Sequence, residues 1–243
     1  DVHPVASRSF NTFHTGCLFE QLARHRAREE ARRTVFFLNT DPRTHTQEGV
    51  AAAEGSPLIA AELRNGAVAI GPLAGFCFSF VKPEIRKLWT LRVGNGGSQF
   101  RSRDTFPPLV VRALAGDVRS IVARPLPISA VPDFPVGHHV LHVDNYGNVK
   151  TSYTARDLAV AKIAWGDGIQ AELAGRKRIA ATALPNIFGG KPGELVFAPG
   201  SSGAPQNPYF EFSVRFDGDY RNSAAVILGF PEPGTAFTLR RKS

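Results

Sequence analysis

Residues 124–137 read RPLPISAVPDFPVG, and the four prolines in this span constrain the fold more than any other feature of the chain. Each proline fixes φ near about −65° and removes a backbone donor, so neither a helix interior nor a central strand runs through such a stretch. The chain is therefore expected to divide here, into an N-terminal domain over residues 1–130 and a C-terminal domain over 131–243. Its 243 residues suffice for two cores.

The two parts differ in pattern. In the first, TVFFLN (from Thr34) is a β-branched and aromatic run that stops at Asp41-Pro42, as a buried strand does. PLIAAELR and AVAIG flank Asn65-Gly66, a pair that supplies the positive φ angles of a tight hairpin. The basic run over residues 24–33 carries helix formers and two glutamates, like the exposed face of a connecting helix. A glycine-rich loop then leads into RSRDTFPPLVVRALAGD, where Asp104 or Thr105 can cap, Pro107 and Pro108 fit a first turn and Gly116 ends the helix. A helix entrance of this kind favours an anion. These elements predict an α/β domain around a central sheet.

In the second part, VLHVDNYGNVKTS, IQAELAG, KRIAATAL, GELVFAPG, YFEFSVRF and TAFTLRR read as strands, with one short helix near residues 156–161. An all-β, barrel-like domain is expected. His138, His142 and Asp144 fall at even positions of one strand, which would put them on one face. A polar strand face explains them without a metal.

The hydrophobic fraction of 43% and charged fraction of 21% fit a soluble protein, and no apolar stretch reaches bilayer length. The net charge of +8 is scattered and accompanies no nucleic-acid motif, so neither nucleic acid nor membrane is expected as a partner. Cys17 and Cys77 sit in apolar surroundings and read as reduced core residues. The chain holds no Met and opens on Asp1, so a processed, trimmed or fragmentary chain is expected; no signal peptide is visible, which leaves the compartment open, with the cytoplasm as the working expectation.

Four ordered segments resemble the S-adenosyl-L-methionine hydroxide/halide adenosyltransferases, the family of S-adenosylmethionine hydrolases, fluorinases and chlorinases. TVFFLNTDP is similar to the family's G-T-V-H-V-A-V-V-D-P, and FRSRDTFPPLVVRALAG to F-H-G-R-D-x-F-A-P-x-A-A-x-L-A-x-G. VDNYGNVKTS is similar to D-R-F-G-N-x-x-T-N. In the tail, GSSG, YFEFSV and NSAAVILGF resemble N-S-x-G-Y-x-E-I-A and N-A-A-x-L-L-G-L, with APQNP interposed.

The resemblance implies hydrolysis of S-adenosyl-L-methionine to adenosine and L-methionine, with no cofactor beyond the substrate and no metal. It also implies a homotrimer with sites between subunits. Asp144 would meet the ligand's ammonium, Tyr146 would stack on adenine and Asn148 would bond to it. Ser201, Phe100 and Arg215 complete the implied binding set, and Asp41, Arg101 and Ser102 the catalytic set. Several family residues are altered. Arg101 replaces the hydrolase His, and Glu48 stands where its Arg is expected. Leu73 and Ala74 replace the Asp and Asn of P-D-N-G. The ribose-binding T-D-F-G segment is absent from the sequence given. Ser102 matches fluorinases, whose hydroxyl and N–H groups bind halide, whereas Asp41 matches hydrolases. Halide-dependent adenosyl transfer and binding without turnover are the alternatives.

Overall fold

The computed structural model describes residues 1–25, 28–42, 55–93, 100–173, 178–219 and 221–242. They form two compact units, Asp1–Phe134 and Pro135–Ser243.

The first unit is built on a five-stranded sheet of β1 (Val35–Phe37), β2 (Leu58–Leu63), β3 (Val68–Pro72), β4 (Ile85–Leu91) and β5 (Val122–Pro125), in the order β1-β3-β2-β4-β5. Only the β1–β3 pair of this sheet is parallel, so the sheet is mixed. Asn65 closes the β2–β3 hairpin, accepting the Ala67 N–H on its side-chain oxygen at 3.1 Å and donating to Ala23 O at 3.2 Å. The first proline of the proline-rich stretch, Pro125, ends β5, at the sheet edge where a missing donor costs little.

Strand alternation gives the sheet two buried faces. Ile59, Ala61 and Leu63 of β2 face one core with Phe78, Val81 and Ile85, while Leu58 and Ala60 face another. The helix Thr12–Arg24 covers the first through Phe19 and Ala23, four residues apart on one helix face. It stops at His25, before most of the basic run, and a four-residue helix Arg28–Ala31 follows. The helix Phe106–Leu114 covers the second core through Phe106, Leu109 and Ala113, with its prolines in the first turn as expected. Full burial of a side chain such as Phe78 contributes about 1.5–3 kcal/mol.

The second unit is a closed barrel. Its strands are β6 (His138–Val143), β7 (Val149–Thr151), β8 (Gly168–Leu173), β9 (Ile179–Ala183), β10 (Leu195–Ala204), β11 (Asn207–Val214) and β12 (Ala236–Arg241). They close in the order β10-β11-β7-β6-β12-β8-β9, and closure removes the open edges that pair with other chains. Phe197, Phe210, Phe212 and Phe237 fill the interior, with the rings of Phe197 and Phe212 4.6 Å apart. The short helix Ala155–Val160 seats Leu158 in that core, and Asp157 holds its entrance by accepting Thr154 N–H at 2.8 Å. A sheet-bearing first part and a barrel in the second agree with the sequence reading at that level. Among the described residues no helix is long and apolar enough to cross a membrane.

Candidate functional site

β6 delivers Asp144 to a turn that returns the chain into β7, where Val143 pairs with Val149. The Asp144 carboxylate organises this turn from within. Its Oδ1 accepts the N–H groups of Tyr146 at 2.9 Å and Asn148 at 3.0 Å, and its Oδ2 accepts the Asn148 side-chain amide at 3.1 Å. Gly147 has φ +78°, and a Cβ there would stand 2.6 Å from the Ser223 side chain. Only glycine lets the turn lie against the short helix Ala224–Ile227, whose Ala225 N–H donates to Gly147 O at 2.8 Å. The turn thus presents Tyr146, a residue 86% exposed, beside an oriented amide.

Val149 and Thr151 point into the barrel, so Lys150 between them points outward, opposite Glu211 of β11. The Lys150 ammonium lies 2.6 Å from Glu211 Oε2, 3.5 Å from Ser201 Oγ and 3.6 Å from Asp144 Oδ2. Ser213 Oγ donates to the other Glu211 oxygen at 3.3 Å. A register shift in β10 between Pro199 and Gly203 sets Gly200 against Glu211, whose carboxylate fills the space a Cβ would need. The side chains of Lys150, Glu211 and Asp144 are only 12%, 16% and 20% exposed. Two carboxylates and one ammonium leave an excess of one negative charge in this half-buried cluster.

Sequence reasoning singled out neither Lys150 nor Glu211. The available signal was Glu211 between Phe210 and Phe212, a charge alternating with core residues. Its pairing with Lys150 depends on the β7–β11 register, which no single strand encodes.

The shared face expected for His138 and His142 is broken by a bulge. Val140 pairs with Thr151 but His142 with Lys150, so two steps on β6 match one on β7 and the alternation inverts. His138 packs on the buried Tyr153 ring at 4.3 Å, while His142 lies with Asp144 and Lys150. Burial pushes the His142 pKa below its usual value, Asp144 opposes this and Lys150 adds to it. Among the described residues no group of three or more His, Cys, Asp or Glu side chains forms a metal-binding set.

In the first unit, Asp41 follows β1 and is tied to a residue fifteen positions on. Ser56 donates its N–H to Oδ2 at 2.8 Å and its hydroxyl to Oδ1 at 3.1 Å. The preceding Thr40 is buried against Thr15, their hydroxyls 2.7 Å apart. Burial first, and the Asp41 charge second, push the Cys77 thiol up to about 12, so it remains a thiol that donates to Thr40 O at 3.6 Å. A cavity of about 370 Å³ runs along β1 past Phe36 and Leu38 to Asn39 and Thr40, immediately before Asp41.

Ser102 is exposed in a four-residue helical turn, Arg101–Asp104. Arg103 bonds Asp104 through two nitrogens, at 2.6 and 2.9 Å, and covers the Phe100 ring at 4.8 Å. This is the salt-bridged surface geometry of modest energetic weight. The Arg101 side chain and Glu48 lie outside the described residues. Thr105 precedes the helix Phe106–Leu114 but its side chain makes no capping bond. Arg215, beyond β11, covers the Phe188 ring at 5.1 Å. The implied binding residues Asp144, Tyr146 and Asn148 thus share one turn, and Ser201 joins it through Lys150.

No protein-family model matches the chain, and no curated protein matches it. Among solved structures it is similar to an uncharacterized conserved protein from Thermotoga maritima, with a TM-score of 0.71 and 17% identity over 95% of this chain and 84% of that one. It is also similar to a conserved hypothetical protein from Thermus thermophilus, with a TM-score of 0.61 and 20% identity over 96% of this chain and 83% of that one. At these identities the likeness concerns the fold.

Proposed function

We propose that this protein binds S-adenosyl-L-methionine at the 144–148 turn and hydrolyses it to adenosine and L-methionine. The observation that carries this reading is the turn itself, an exposed aromatic ring and an oriented amide beside a half-buried cluster with excess negative charge. Adenine asks for a ring to stack on and an amide at its edge, and a ligand with an ammonium and a sulfonium asks for negative charge. The ordered resemblance of four segments to the hydroxide/halide adenosyltransferases points to the same ligand.

In the reaction, a water oxygen attacks the ribose 5′ carbon and the bond from that carbon to the sulfonium breaks. The electron pair goes to sulfur, giving the neutral thioether of methionine, and the attacking water, once bonded to carbon, releases one proton to the surrounding solvent. The leaving group needs no protonation, so catalysis consists of desolvating and aligning a small nucleophile. Asp41, which follows the cavity-lining Asn39 and Thr40 in the chain, is the candidate to orient that water, with Arg101 and Ser102 completing the set. Phe100 and Arg215 belong to the proposed binding surface. The resemblance extends the proposal to a homotrimer with sites between subunits, which sedimentation equilibrium tests.

Binding without turnover is a second reading, favoured by Asp41. Ser56 donates to both of its oxygens, taking up acceptor positions that a nucleophilic water would use. Incubation with S-adenosyl-L-methionine followed by chromatography separates the readings. Hydrolysis predicts adenosine and methionine in equal amounts, and tight binding with no adenosine above the uncatalysed background leaves the binding reading. A 5′-halo-adenosine formed in chloride or fluoride would move the assignment to adenosyl transfer at Ser102.

A further inference from the structure

We infer that Glu211 is the carboxylate that selects ligands bearing an ammonium group, and that the Lys150 side chain is an internal stand-in for that ammonium, displaced when the ligand binds. This deepens the adenosyl reading of the same site and rests on it.

A carboxylate offers about four lone-pair positions. Asp144 uses three on Tyr146 N–H, Asn148 N–H and the Asn148 amide, all within its own turn. A ligand that took Asp144 as its main partner would compete with the bonds that shape the turn holding Tyr146. Glu211 has no such duty. Its side-chain partners are the Lys150 ammonium at 2.6 Å and the Ser213 hydroxyl at the longer distance of 3.3 Å.

The Lys150 nitrogen is itself a primary ammonium set among Glu211, Ser201 and Asp144. Those acceptors are the ones an amino acid's α-ammonium requires, a near carboxylate, a hydroxyl and a second carboxylate to balance charge. Lysine can vacate the position because its ammonium rides on a flexible four-carbon stem. Gly200 supports the assignment from the opposite strand, since any side chain there would fill the space occupied by the Glu211 carboxylate. Exchange of one ammonium for another leaves the charge of the half-buried cluster unchanged, so binding does not strand an unpaired carboxylate. A nucleoside without the amino-acid portion gains nothing from the exchange.

The test is calorimetric titration of the full chain and of its Glu211→Gln and Lys150→Met variants with S-adenosyl-L-methionine, L-methionine and adenosine, with urea unfolding as a control for folding. The expected results are about tenfold weaker binding of S-adenosyl-L-methionine to Glu211→Gln and about tenfold tighter binding to Lys150→Met, with adenosine affinity unchanged in both. Methylammonium chloride should stabilise Lys150→Met against urea more than sodium chloride does, and should leave the wild type unchanged. S-adenosyl-L-methionine and adenosine shifting together, or affinity for the former falling in Lys150→Met, overturns the inference. If neither adenosyl compound binds any form, the adenosyl reading fails by itself. L-methionine and methylammonium binding to Lys150→Met alone then upholds the ammonium position for another amine, and their failure to bind removes it as well.

Discussion

Asp41 and Asp144 each lie beyond a strand, Asp144 directly after β6 and Asp41 four residues past β1, and they are held in opposite ways. Asp144 is fixed by groups within four residues of itself, Tyr146 and Asn148. Asp41 is fixed by Ser56, fifteen residues on, and lies close enough to the buried Cys77 to raise its pKa. A carboxylate that organises its own turn makes a rigid platform, whereas one held by a residue fifteen positions on depends on a contact made only in the folded chain. The barrel turn is accordingly the more locally preorganised of the two.

The largest expected effect comes from attacking that platform. Gly147→Val forces a branched side chain into a left-handed backbone and against Ser223, and should destabilise the second unit by about 2–4 kcal/mol, read as a lower urea midpoint of the full chain. Asp144→Ala removes three hydrogen bonds and the second carboxylate near Lys150, and should cost about 2 kcal/mol in the same measurement. Asp41→Ala removes the two Ser56 bonds and should cost about 1 kcal/mol. It should also lower the Cys77 pKa from about 12, though by less than burial raises it, as read from the pH dependence of alkylation. A larger loss for Asp41→Ala than for Asp144→Ala would break the comparison.

The smallest effect concerns pH. Burial is the main cause holding His139 and His142 below the usual 6.5, so the unfolded chain takes up their protons at higher pH than the folded one. Their contribution to stability is complete above 6.5 and is lost as pH falls through the folded values. The urea midpoint should be lower at pH 5 than at pH 7, and His142→Gln should narrow that difference.

The locally determined features were the legible ones. Asn65-Gly66 marked its hairpin, Pro107 and Gly116 bracketed their helix, and the YGN turn after Asp144 appeared where a positive φ required glycine. What could not be read depended on register. The β6 bulge that separates His138 from His142 shows only when Val140 and His142 are matched to Thr151 and Lys150. The Lys150–Glu211 contact joins strands sixty-one residues apart in sequence. The strand expected to run to Asp41 ends at Phe37 and is only partly buried, and Asp41 gave no sign of its partner Ser56. Periodicity assigns a residue to a face, but contacts between faces follow from pairings that form only in the folded chain.

The most direct test of the central claim is titration of S-adenosyl-L-methionine into the wild type and into Tyr146→Ala. As a residue 86% exposed, Tyr146 can be truncated without disturbing the barrel. The account predicts binding to the wild type and at least about tenfold weaker binding to the variant at an unchanged urea midpoint, the loss expected when one base loses its stacking partner. Equal affinity in the two proteins, or no binding to the wild type, would contradict it.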